Sequence, residues 1–169
     1  ISQTGEDNSW EDVYTKTGAS HISHINENIH LPEAKTARYV RLYIDGYTAN
    51  AADDQTNWRS VSLYDFQIYA NEIPDTVLPD ENYCLEGTAE ASNFEEVQSE
   101  PGKQGPAKAI DGDLTTRWAT ESDGKGTTAR TLTVKLPAAQ WVEYVKIDWE
   151  MPASGVPTCL LYTSDAADE

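Results

Sequence analysis

Hydrophobic residues recur at every second position in four separate stretches of this chain, and that period is the strongest constraint on its fold. In Arg38–Ile44 it puts Val40, Leu42 and Ile44 on one side. In Tyr64–Tyr69 it puts Phe66 and Ile68 on a side with Tyr64. Leu132, Val134 and Leu136 alternate, as do Val145, Ile147 and Trp149. Successive side chains of a strand point to opposite faces, so this pattern marks half-buried antiparallel strands. Helical candidates are few: Ile22, Ile25 and Ile29 have helical spacing, in a stretch rich in Asn and His. The chain is expected to be all-β and to form a sandwich. Its 169 residues are enough for one core without disulfides or metals as staples. The two cysteines, Cys84 and Cys159, are read as unpaired thiols, a count of two leaving a disulfide open.

Charge excludes several partners. Twelve basic residues against 29 acidic ones give a net charge of −17. Such a chain repels phosphate backbones and anionic lipid, and it has no Lys/Arg cluster to release counterions. No apolar run is long enough to span a bilayer as a helix, and no secretory leader opens the sequence. The acidity is not a tail: residues 1–72 carry −6 and residues 84–158 carry −5. Between them, residues 73–83 hold Pro74, Pro79 and several acids and read as an exposed linker.

Two segments carry a family resemblance. Pro106-Ala107-Lys108-Ala109-Ile110-Asp111-Gly112-Asp113-Leu114-Thr115-Thr116-Arg117-Trp118 resembles the motif near the start of discoidin domains. These are also called coagulation factor V/VIII type C domains, or family 32 carbohydrate-binding modules in bacteria. Leu132–Leu136 and Val142–Trp149 resemble that family's next strands. Ala37–Leu42 followed by Ser62–Tyr69 is similar to the family's end. The ending motif thus precedes the starting one. The resemblance implies the C-terminal half of one module (residues 1–72), a linker (73–83) and the N-terminal half of a second (84–158), from a tandem array. Because domain termini often lie close together, the halves are expected to dock as one circularly permuted, jelly-roll-like β-sandwich. Residues 159–169 leave the module pattern. They resemble the translation of a transposase sequencing adapter and are expected not to belong to a natural gene product, the alternative being an ordinary acidic end.

The Asp-Gly-Asp turn is the first candidate site. By resemblance, a structural calcium ion would take the backbone carbonyl of Lys108, the carboxylates of Asp111 and Asp113, and the carbonyl and hydroxyl of Thr116. The family's last strand would add an acidic ligand, here Asp65 beside Tyr64, where the family usually has the longer Glu. Calcium requires six to eight oxygen ligands, many of them carbonyls. The turn is not an EF-hand, since Thr116 and Ser122 occupy the positions of that loop's Gly and Glu. From the residues alone, a plain Asp-Gly hairpin turn is the alternative.

The second candidate is a sugar site, which pairs an aromatic platform with planar hydrogen-bonding groups. The long polar loop Tyr47–Arg59 ends in Asn57-Trp58-Arg59, and loop residues Phe94 and Glu95 join the candidates; further loop residues lie within Ala119–Arg130. Trp58 is read as exposed, Phe94 as either platform or core, and Trp10, Trp118, Trp141 and Trp149 as packed. Arg117 is read as an ion-pair partner, Asp53-Asp54 as solvated loop, and His21, His24 and His30 as surface or edge residues. No HExxH, GxSxG, P-loop or GxGxxG occurs. The expected function is non-catalytic carbohydrate binding within a larger secreted or cell-surface bacterial protein, a glycoside hydrolase in the first instance. The ligand implied is a glycan ending in galactose or N-acetylhexosamine. An adhesion or protein-interaction module of the same fold is the alternative. An enzyme, the third reading, rests only on unassigned carboxylates.

Overall fold

The computed structural model describes residues 1–16, 26–44, 60–70, 82–122 and 128–150. Outside them lie the Tyr47–Arg59 loop with Asn57, Trp58 and Arg59, all but the last two residues of the 73–83 linker, His21, His24, Ile22, Ile25 and the 159–169 tail. Among the described residues there are five strands: β1 (Asn26–Ile44), β2 (Ser62–Tyr69), β3 (Thr88–Ala91), β4 (Trp118–Ala119) and β5 (Arg130–Trp149). Single 3₁₀ turns span Tyr83–Glu86 and Pro106–Ala109. All strand pairings are antiparallel, so the chain is all-β around one five-stranded sheet.

β5 organises the sheet. β1 runs along one of its edges over nearly its whole length. On the other edge, β3 pairs with Leu132–Lys135 and β2 pairs with Tyr144–Trp149. β2 also carries β4 through Ser62↔Ala119 and Leu63↔Trp118. Strands from residues 1–72 and from 84–158 therefore share one ladder and one core. The core includes Leu42, Ile44, Phe66 and Ile68 from the first segment, and Trp118, Leu132, Val134, Leu136, Val142 and Ile147 from the second.

Two stretches read as separate strands, Thr131–Leu136 and Val145–Trp149, belong to one long β5. Its ladder with β1 shifts between His30 and Lys35 and again between Ala37 and Tyr39. The first shift adds residues on β1 and the second adds as many on β5, so the original offset returns. Pro32 and Pro137 sit inside these bulges. A proline cannot donate to a ladder, and it is tolerated where pairing is already interrupted.

A smaller bulge in β2 overturns one expected face. The register moves between Leu63 and Asp65, leaving Tyr64 as the extra residue. Leu63, fully buried, joins Phe66 and Ile68 in the core, while Tyr64 is only half-buried. Trp118 and Trp149 are buried as expected, but Trp141 is 54% exposed. The inward-facing residues of β5 are even-numbered up to Val142 and odd-numbered from Val145. Trp141 precedes that change and so faces out. Half-buried Trp10 packs beneath the Arg41 guanidinium, 3.7 Å from its ring centre. Cys84 is a buried free thiol, and burial pushes its pKa up.

Segment 82–91 is fastened to the sheet at two places. The Asn82 side chain accepts from the Ile68 amide at 3.1 Å on β2 and from the Cys84 amide at 3.0 Å, capping the 3₁₀ turn. At Gly87 the backbone passes so near β5 that an added Cβ would lie 2.9 Å from the Lys135 carbonyl.

Candidate functional site

The Asp-Gly-Asp turn connects the second 3₁₀ turn to β4 and is not a hairpin between two strands, which removes the hairpin alternative. Gly112 has φ +72°, a left-handed conformation, and a Cβ there would meet Leu85 at 3.0 Å. The Asp111 carboxylate draws the turn together. It accepts from the Asp113 amide at 3.1 Å and from the Thr116 hydroxyl at 2.8–2.9 Å, and it pairs with Lys108 Nζ at 3.1 Å. The Asp113 carboxylate accepts from the Thr115 hydroxyl at 2.6 Å and from its amide at 2.9 Å, and these bonds hold its pKa below the usual range. Four of the residues carried over for calcium, Lys108, Asp111, Asp113 and Thr116, thus meet in one turn.

β2 brings the remaining two alongside. Leu63 pairs with Trp118, so Tyr64 and Asp65 run past the start of β4. Asp65 is 2% exposed; its Oδ2 accepts from Gln67 at 2.6 Å and its Oδ1 has no hydrogen-bond partner. Burial is the main cause raising its pKa to about 6, the Gln67 bond opposes this, and the charges of Asp148 and Asp111 add to it. Tyr69 on the same face donates its hydroxyl to Gln67 Oε1 at 2.5 Å, and burial, then Asp65, push its pKa to about 12.

Asp148, which the sequence reading missed, stands opposite Asp65 in the register. It is 6% exposed, Lys146 Nζ lies 3.6 Å from its Oδ2, and that oxygen has no hydrogen bond. Alternation puts it on the face opposite Ile147 and Trp149. What buries it is the covering of that face, and no local pattern encodes this.

The sign of Asp65's effect on stability follows from its raised pKa. Below about pH 4 the group is protonated in both folded and unfolded chains. As pH rises towards 6 the unfolded chain releases the proton while the folded one keeps it, so stability falls across that window. Above it, the loss reaches about 3 kcal/mol at most. Asp65→Asn is expected to be the more stable protein at pH 7 in metal-free buffer, with the difference vanishing near pH 4. Thermal unfolding of both proteins from pH 4 to 7 checks this; a constant difference across that range refutes it.

Of the sugar-site candidates, Phe94 and Glu95 are described. Phe94 is half-buried and packs against the core. The Glu95 amide donates to the Ala119 carbonyl at 2.8 Å, and the Ala119 amide donates to the Gln104 carbonyl at 3.2 Å. One residue of β4 thus anchors both ends of the intervening loop. Asn57, Trp58 and Arg59 lie outside the described residues. Arg117 forms an ion pair with Glu150, as expected of a structural arginine. His30 stacks edge-on against Tyr144 at 5.1 Å. A cleft of about 740 Å³ opens between the 97–104 loop and the Asp-turn segment, with Tyr64 on its wall. The sequence reading missed this cleft too, because its walls come from three distant segments.

No family model, curated protein or solved structure matches the chain.

Proposed function

We propose that this chain is a non-catalytic carbohydrate-binding fragment of a larger secreted bacterial protein, built as two discoidin-like half-modules docked into one circularly permuted jelly-roll sandwich. One observation carries the reading. Two motifs that resemble opposite ends of one family, in reversed order along the chain, lie side by side through Leu63↔Trp118, with Asp65 close enough to feel the charge of Asp111. The partner is a glycan ending in galactose or N-acetylhexosamine, held by Asn57, Trp58 and Arg59 with Phe94 and Glu95.

The Asp turn fits a structural calcium ion in its donor chemistry. Lys108 and Thr116 would contribute carbonyls, and Asp111, Asp113 and Asp65 carboxylates; the unpartnered Oδ1 of Asp65 is a buried oxygen without a donor. Among the described residues no group of three or more His, Cys, Asp or Glu is gathered for a metal, so Asp65 would have to close on the turn for all three carboxylates to bind one ion. When bound, the ion would supply positive charge that joins the turn to β2. The Lys108 ammonium, now paired with Asp111, would give way to it.

A glycan array probed with the chain tests the sugar reading, and binding to no glycan rejects it. Calcium at about 100 times its Kd should raise stability by roughly 2.7 kcal/mol, or about 5–10 °C in Tm. Asp111→Ala should abolish that shift. Calorimetry showing no heat of calcium binding removes the metal. The adhesion reading draws on Trp141, whose ring is more than half exposed. Capture of a protein partner lost in Trp141→Ala, with no glycan bound, would favour it.

A further inference from the structure

We infer that the cleft beside the Asp turn is a saccharide subsite for a neutral sugar, distinct from the Phe94 and Glu95 positions. It takes only its ligand class from the carbohydrate reading above.

Its size and walls support a ligand. About 740 Å³ lies within the range of pockets that hold small molecules. Tyr64, turned out of the core by the β2 bulge, gives an aromatic wall, and Val97 and Pro101 add apolar surface. At Gly102 an added Cβ would meet nothing within 4 Å, so the rim there is open. Gln104 also lines the cleft. It is 7% exposed, and its Oε1 is buried without a hydrogen-bond partner. A buried carbonyl oxygen without a donor is a destabilised acceptor, and rotation of the Gln104 amide toward the cleft would let a ligand hydroxyl remove that cost. Apolar surface for C–H faces beside an unmet polar group is what a sugar ring requires.

Charge decides between a neutral and an anionic ligand. Three cations reach the cleft, yet each already has a carboxylate. Lys103 pairs with Glu100 at 3.0 Å, Lys108 pairs with Asp111 at 3.1 Å, and Arg117 pairs with Glu150. An anion would have to displace these partners inside a chain of net charge −17. A neutral polyol leaves the ion pairs intact and can hydrogen-bond to their outer edges. Neither Phe94 nor Glu95 lines the cleft, so it is separable from those two positions by mutation.

The test is a titration of the ¹⁵N-labelled 169-residue chain with methyl galactoside, N-acetylgalactosamine and galacturonate, followed by amide chemical shifts. Saturable shifts of the Gly102, Gln104, Thr115 and Arg117 amides with a neutral sugar are expected. Lys103→Trp, placed where the side chain is more than half exposed, should fill the cleft and weaken that binding at least about tenfold. Pro101→Trp serves as the second blocking variant if Lys103→Trp disturbs the remaining spectrum. Cleft amides that stay silent, while saturable shifts with the same sugars occur elsewhere, would overturn the subsite and leave the carbohydrate reading standing. Silence everywhere would overturn both. Stronger binding of galacturonate than of the neutral sugars would overturn the ligand class.

Discussion

Residues 1–72 and 84–158, produced as separate peptides, are expected to be unfolded alone and to give one dispersed amide spectrum when mixed. The reason is the position of β5. Both of its edges are occupied in part by strands of the other segment, β1 along one and β2 on the other. Without the first segment, Leu132, Val134, Leu136, Val142 and Ile147 face water, and among the described strands β5 keeps only β3 as a paired neighbour. Without the second, β1 and β2 have no strand between them, since the sheet order puts β5 there. Each fully buried aliphatic side chain contributes about 1.5–3 kcal/mol. Loss of several exceeds the roughly 5–15 kcal/mol by which a domain is stable. A dispersed spectrum from either peptide alone would show that the shared ladder is not what folds the chain.

Trp118→Ala is expected to destabilise the protein by about 3–5 kcal/mol, measured by urea unfolding. Trp118 is fully buried where β4 meets β2, and its Nε1 donates to the Asn93 carbonyl at 3.2 Å, tying down the start of the 93–104 loop. Removal leaves both a cavity and an orphaned carbonyl. Trp118→Phe keeps much of the volume and loses the donor, so a cost of about 1–3 kcal/mol should remain. Trp141→Ala supplies the contrast: with the ring 54% exposed, the expected change is within about 0.5 kcal/mol. Equal losses at Trp118 and Trp141 would contradict the packing described above.

These two tryptophans show how far the sequence could be read. Both sit in strand-like patterns, and the pattern alone placed both inside. Alternation tells which residues share a face, but only while the strand stays regular. In β5 the inward set changes parity between Val142 and Val145, so Trp141 was assigned by extending a pattern past the point where it held. The same limit explains Tyr64, which the β2 bulge removes from the side of Phe66 and Ile68. Pro32 and Pro137 were visible in the sequence as places where a ladder must break. That the two breaks follow each other along one ladder and cancel was not, because the compensation involves two strands about a hundred residues apart.

The candidate sites divide in the same way. Asp111, Asp113 and Thr116 are close in sequence, and short side chains around a glycine form such a turn by local hydrogen bonding. Asp65 joins them only through the pairing of β2 with β4. Its neighbour Asp148, and the Gln104 cleft, depend on which surfaces are covered by loops from elsewhere.

By itself, then, the sequence determined the all-β class, the apolar parts of β1, β2 and β5, the Asp turn and the negative surface, because each is set by near neighbours or by composition. Only the tertiary structure decided that residues 1–72 and 84–158 share one ladder, that β5 is continuous, that Trp141 faces water and that Asp65 and Asp148 are buried together. Those outcomes depend on long-range strand pairing and on desolvation, which arise when distant segments meet and which no local period records.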